Sequence, residues 1–166
     1  MKKNRILPRL AALALALAFG AAAAMPAAAA YDMPITLSAE DESVYLVNLD
    51  TGDVLLDQNS TTQRYVASLT KMITGLLLVE SGADLSTTIT IPERLTQEFK
   101  EIQTFNGADM GLKIGENVRL IDLLYGLLLP SANDAASVIA DYLGNGDTSA
   151  FVDQMNARAA QLGCTA

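Results

Sequence analysis

The stretch from Val118 to Leu129 is strongly apolar and is closed by Pro130. It reads as one helix that must stop near Leu129, because the residue before a proline is disfavoured in helical conformation. Its apolar surface has to be covered by other elements, and the flanking sequence offers several. Asn133–Leu143 and Thr148–Leu162 read as two further helices, separated by Gly144-Asn145-Gly146. Ser68–Glu80 places Met72, Leu76 and Val79 at helical spacing, with Gly82 as a stop. Ser86–Ile91 alternates Thr and Ile, which predicts a short extended piece before Pro92. Ser43–Gln58 reads as a hairpin: Val44–Val47 and Val54–Leu56 are β-rich, and Asp50-Thr51-Gly52-Asp53 supplies the turn. The fold class is therefore α+β, with one hairpin and at least four helices. Since an isolated two-stranded hairpin is only marginally stable, its sheet is expected to be incomplete in these residues. No internal repeat and no Pro/Ser-rich linker divides the chain.

The first thirty residues differ from the rest. Lys2, Lys3, Arg5 and Arg9 precede an almost pure Ala/Leu run from Leu10 to Ala24, and Ala28-Ala29-Ala30 precedes Tyr31. Charged start, apolar centre and small-residue end make a secretory signal peptide over residues 1–30, with cleavage near Ala30. The apolar run is shorter than the roughly 20 residues needed to span a bilayer. Export leaves residues 31–166 with 7 Lys+Arg against 19 Asp+Glu, from totals of 11 and 19. That acidic balance predicts no nucleic-acid partner. The sequence has no His, which excludes a Ser-His-Asp triad or a His-containing zinc site within these residues. Its one Cys, Cys164, allows no internal disulfide and reads as incidental.

Catalysis without histidine needs another base, and Ser68-Leu69-Thr70-Lys71 supplies a candidate. Positions i and i+3 share a helix face, so the Lys71 amine can take a proton from the Ser68 hydroxyl. A lysine near its ordinary pKa of about 10.4 is protonated, so the site has to lower that value by burial or by neighbouring cations. The apolar neighbours Met72, Ile73, Leu76 and Leu77 suit burial. A serine in the first turn also lies beside unpaired helix N–H groups, where charge developing on an acyl oxygen is favoured. Ser-x-x-Lys alone arises by chance about once in a chain of this size at average composition. A second pattern, Ser131-Ala132-Asn133, follows Pro130 at the opening of the next helix. Both polar residues could serve as helix caps. Alternatively, Ser131 relays a proton between Lys71 and a leaving amine, while the Asn133 amide binds substrate backbone and holds Lys71 in place. Ser-x-x-Lys followed by Ser-x-Asn about sixty residues later is the order used by serine acyl-transfer enzymes of the penicillin-recognising type.

The segments Ala67–Met72, Gly111–Glu116 and Asp122–Ala136 together resemble serine-type D-Ala-D-Ala carboxypeptidases, the low-molecular-mass penicillin-binding proteins. The resemblance runs from about Ser43 onward. It implies a penicillin-binding-protein/β-lactamase-like serine transpeptidase fold, here truncated to the N-terminal hairpin and helical region. It implies Ser68 as nucleophile, Lys71 as base, and Ser131 with Asn133 on the opposite wall of the cleft, with no cofactor and no metal. The implied activity is removal of the terminal D-alanine from peptidoglycan stem peptides, and the implied ligands are peptides ending in D-Ala-D-Ala and β-lactams. Ala132 stands where the family most often has Gly, and its methyl should be tolerated. The family's third motif, Lys-Thr-Gly, does not occur in the 166 residues, and Lys100 and Lys113 have the wrong neighbours. Residues 31–166 are therefore expected to be the N-terminal part of the peptidase domain, inactive by themselves, exported, and open to membrane association through a C-terminal segment outside them. A class A-like β-lactamase is the alternative enzyme, disfavoured by Ser131-Ala132-Asn133 in place of Ser-Asp-Asn. A non-catalytic exported wall-binding homologue is the alternative outside enzymes.

The remaining features receive plainer readings. Asn59-Ser60-Thr61 matches a glycosylation acceptor by chance, Asp50, Asp53 and Asp57 are turn and surface charges, and the methionines are expected to fill the core.

Overall fold

A computed structural model of the chain describes residues 42–164, so the proposed signal peptide lies outside the described residues. The chain divides at Thr62/Gln63 into two units. In the first, β1 (Val44–Val47) and β2 (Val54–Gln58) form an antiparallel hairpin with Tyr45 opposite Asp57 and Leu46 opposite Leu56. Its turn is organised by a residue the sequence did not single out: Asn48 Oδ1 accepts the N–H groups of Asp50 and Thr51 at 2.9 and 3.3 Å. Gly52, at φ 77°, completes the reversal in the left-handed region that glycine enters without a steric cost.

The second unit is helical, with one short ribbon. A 3-10 turn, Ala67–Leu69, leads into α1 (Thr70–Glu80). Then follow β3 (Thr88–Thr90), a 3-10 turn at Glu93–Leu95, α2 (Thr96–Thr104), β4 (Asn117–Arg119), α3 (Leu120–Leu128), α4 (Asn133–Leu143) and α5 (Thr148–Gln161). Strands β3 and β4 pair antiparallel, with Ile89 opposite Val118, and Ile91 and Glu116 continue the ladder by backbone hydrogen bonding. Among the described residues no helix is long and apolar enough to cross a membrane.

Three expectations from the sequence are corrected here. The apolar run does not begin its helix at Val118: that residue lies in β4, and Arg119 at ψ 149° is still extended. Val118 is β-branched and suits a pleated ribbon; its side chain is buried there, so the run is apolar for two different structural reasons. In α1 the buried face is not Met72, Leu76 and Val79 but Lys71, Thr74, Gly75 and Leu78. Met72 is 63% exposed and Met110 38%, so these methionines do not fill the core either. Helix α2, which brings Phe99 into the core with Ile102 packed against it, is not among the helices expected from the sequence.

Helix α4 is the centre of this unit, packing against α1, α2, α3 and α5. Its Ala135, Val138 and Ile139 meet Leu120, Leu123 and Leu127 of α3 in one core with Leu78 of α1. Gly75 lets α1 approach α3 closely, because a Cβ there would sit 3.3 Å from Leu124 Cδ1 and 3.4 Å from Leu127 Cδ2. Charge pairs tie the outer elements on: Arg158 grips both carboxylate oxygens of Glu80 at 2.6 and 2.8 Å, and Arg94 those of the buried Asp141.

Since Leu123 is fully buried at the α3–α4 contact, truncation removes its transfer free energy and leaves a cavity. Leu123→Ala should lower stability by about 2–5 kcal/mol, read as a fall in denaturant midpoint with the slope unchanged. A midpoint within error of the parent would contradict this packing.

Candidate active site

The 3-10 turn at Ala67–Leu69 presents Ser68 at the surface, just before α1 carries Lys71 inward. Lys71 Nζ lies 3.4 Å from Ser68 Oγ and donates to Asn133 Oδ1 at 2.7 Å. One amine thus reaches from the nucleophile candidate on one element to the amide at the start of α4, 62 positions away. Among the described residues no carboxylate lies within ion-pair distance of Lys71. Burial pushes the Lys71 amine below the usual lysine value, because the charged form loses hydration. An amide oxygen partner orients the amine without supplying a full negative charge that would hold its proton.

Ser131 and Asn133 do not cap α4. The N-cap position is Ala132, and neither side chain makes a capping bond. Instead Asn133 Oδ1 turns to Lys71, and Ser131 Oγ is buried with no hydrogen-bond partner among the described residues. An unmatched buried hydroxyl costs free energy and calls for an explanation. Ser131 Oγ belongs to a residue lining the same cavity of about 370 Å³ as Ser68, Lys71, Leu127 and Leu128. The arrangement therefore gathers all four residues singled out from the sequence: two hydroxyls, one amine of lowered basicity and one amide.

Backbone strain sits beside both serine motifs. Among the described residues five non-glycine residues have positive φ, and three are Asn, which tolerates that region. The other two are Ala67 at 46°, immediately before Ser68, and Ser131 itself at 61°. Such residues cost about 1–3 kcal/mol each and persist where surrounding structure holds them, often at functional sites. Ala132 is fully buried at φ −66° and ψ 125°, a conformation open to any residue, so its methyl is accommodated. Two residues bordering Asn133, Gly107 and Asp134, were not singled out from the sequence. An acidic residue in the first turn of a helix reads as an ordinary dipole complement, and nothing local marks Gly107 as facing an amide.

Comparisons with known proteins identify the family of the chain. The family described as D-alanyl-D-alanine carboxypeptidase matches residues 27–166. D-alanyl-D-alanine carboxypeptidase DacF of Bacillus subtilis is 31% identical over 127 residues, covering 76% of this chain and 32% of that protein. DacD of Escherichia coli, of the same description, is 38% identical over 122 residues, covering 70% of this chain and 31% of its own length. Among solved structures, penicillin binding protein 5 from Haemophilus influenzae superposes with a TM-score of 0.66 at 27% identity, over 79% of this chain and 37% of that one. The chain spans about a third to a half of the length of the curated relatives it matches.

The lowered basicity of Lys71 can be read directly. In protein labelled with 15N-lysine, the Lys71 amine should titrate below the ordinary value of 10.5. A midpoint at or above that value would mean that burial does not control this amine.

Proposed function

This chain belongs to the D-alanyl-D-alanine carboxypeptidase family, and on that premise we propose that it acts as a serine peptidase removing the terminal D-alanine from peptidoglycan stem peptides. The observation that carries this reading is the buried Lys71 amine held between Ser68 Oγ and Asn133 Oδ1. Ser68 Oγ attacks the carbonyl carbon of the penultimate D-alanyl residue, and its proton passes to Lys71 Nζ. Negative charge on the carbonyl oxygen develops beside the first turn leading into α1, where helix N–H groups favour it. The peptide C–N bond then breaks, and the departing D-alanine amine takes its proton from Lys71 by way of Ser131 Oγ. Water hydrolyses the Ser68 ester, returning its proton through the same amine. The unpartnered Ser131 hydroxyl suits a relay, since a group that must exchange partners during turnover gains nothing from a fixed one.

The ligands proposed are peptides ending in D-Ala-D-Ala, and β-lactams, whose strained amide meets the same nucleophile. The Asn133 amide, placed at the mouth of α4, supplies hydrogen-bonding capacity for the substrate backbone. The basic, apolar and small-residue pattern of residues 1–30 supports export out of the cytoplasm, to the side of the membrane where peptidoglycan lies.

Two experiments on the natural gene product carrying this sequence test the reading. Penicillin should leave a covalent adduct on the parent and none on Ser68→Ala, as read by intact-mass spectrometry; an adduct retained by Ser68→Ala assigns the nucleophile elsewhere. Lys71→Arg keeps the positive charge but cannot be deprotonated, so acylation should slow by about 10²- to 10⁴-fold. Stopped-flow acylation within a few fold of the parent would mean that another group takes the serine proton.

A further inference from the structure

We propose that Asp134 is a positioning residue, clamping the loop between α2 and β4 so that Gly107 walls the Asn133 amide into the orientation that faces Lys71. The inference rests on the reading of Ser68 and Lys71 given above. Asp134 is the second residue of α4 and only 3% exposed. Among the described residues no Arg or Lys pairs with it; backbone N–H groups satisfy its carboxylate instead. Oδ1 accepts from Met110 at 3.0 Å and from Ala135 at 2.8 Å, while Oδ2 accepts from Leu112 at 2.9 Å and from Met110 at 3.2 Å. One residue earlier, the Asn133 N–H donates to Ala108 O at 2.7 Å. The loop and the first turn of α4 are thus tied in both directions, by carboxylate to loop N–H and by helix N–H to loop carbonyl.

Immediately before these ties the chain passes through Gly107, whose own N–H is fixed to Ile102 O at 2.8 Å. A Cβ at 107 would stand 2.9 Å from Asn133 Nδ2, nearer than real Cβ atoms approach, and 3.3 Å from Ile102 O. Unlike the neighbouring Asn106 at φ 51°, Gly107 is not held in the left-handed region, so glycine is needed there for space rather than for backbone freedom. The consequence lies on the other edge of the same amide. With Nδ2 against Gly107, Oδ1 is directed at Lys71 Nζ. Were the loop to withdraw, the amide could rotate and present its N–H groups to the lysine, which repels an ammonium and, with a neutral amine, ties up the lone pair that must accept the serine proton. The clamp also occupies the one carboxylate adjacent in sequence to Asn133, so that it engages the loop and not the lysine.

The other charged groups on the helices packed against α1 are also accounted for. Asp122 of α3 pairs with Arg119, Asp141 of α4 with Arg94, and Arg158 of α5 with Glu80 of α1, while Asp153 of α5 is exposed. The amide oxygen is therefore the polar group whose loss should alter Lys71. Because that oxygen favours the ammonium over the amine, loosening it lowers the lysine pKa further, and the acid limb of acylation moves to lower pH.

The test uses Gly107→Ala and Asp134→Asn in the natural protein, with a fluorescent penicillin as probe. Each should cut the second-order acylation rate roughly 10- to 100-fold, the scale of an ångström of misplacement at a reacting centre. Each should also shift the acid limb downward and keep a cooperative melt. In an Asn133→Ala background Gly107→Ala should add no further loss, because the amide it displaces is gone. Acylation within twofold of the parent overturns the proposal, as does an unmoved acid limb or a Gly107→Ala loss that persists in full beside Asn133→Ala. Should Asp134→Asn fail to fold, Asp134→Ser, which keeps a single acceptor oxygen beside the Ala135 and Met110 N–H groups, is read in its place, and acylation within twofold of the parent overturns the clamp. Failure of the underlying reading shows separately, as labelling of Ser68→Ala.

Discussion

The hydrogen bond from Lys71 Nζ to Asn133 Oδ1 joins two helices and two sequence motifs, and it depends on how the helices of the second unit pack. A lysine can serve as a base only if it is buried enough to lose its proton and held firmly enough to meet the serine. Those demands conflict when the holding group is a carboxylate, since an ion pair would stabilise the ammonium. An amide resolves the conflict with a directional acceptor and no net charge. Its position depends on α1 crossing α3 closely at Gly75 and on α3 and α4 sharing a core, so the chemistry rests on leucine and alanine packing as much as on the polar groups.

The site carries several local costs together: a desolvated amine, an unmatched Ser131 hydroxyl, and left-handed backbone at Ala67 and Ser131. The unmatched hydroxyl and the left-handed residues each lower stability by an amount comparable to one good core contact. They are sustained by fully buried residues such as Leu78, Leu123, Ile139 and Phe151 in the elements on which the site is mounted. The serine-bearing turns are thus strained features held between rigid helices, which is how a reactive group can stay preorganised without a stabilising partner of its own.

The sequence exposed the site more readily than the packing around it. Ser68 and Lys71 are three positions apart, so local helical geometry sufficed to pair them, and the distance of 3.4 Å follows even though Ser68 lies in a 3-10 turn. Their link to Asn133 could be suspected only from the order of motifs, because no local rule brings together residues 62 apart. The helices after Pro130 kept nearly their expected bounds, since Pro and Gly mark them. Val118 was misassigned because a buried ribbon and a buried helix are both apolar, and a three-residue strand is too short to show alternation. The face of α1 was misread for a related reason: Lys71 and Gly75 lie on the buried side, so functional and steric demands displaced the apolar stripe.

Asp134 shows how an acidic protein can keep its charge away from such a base. The sequence carries 19 Asp+Glu, and one of them is chain neighbour to the residue that holds the catalytic candidate lysine. Left unsatisfied, a buried carboxylate there would favour the lysine ammonium and oppose the proton transfer proposed for this site. The backbone N–H groups of Met110, Leu112 and Ala135 compensate it instead, and the same hydrogen bonds fix the loop that shapes the amide's surroundings. Charge compensation by the main chain and orientation of Asn133 are therefore one structural solution, and a substitution that weakens the first has to disturb the second.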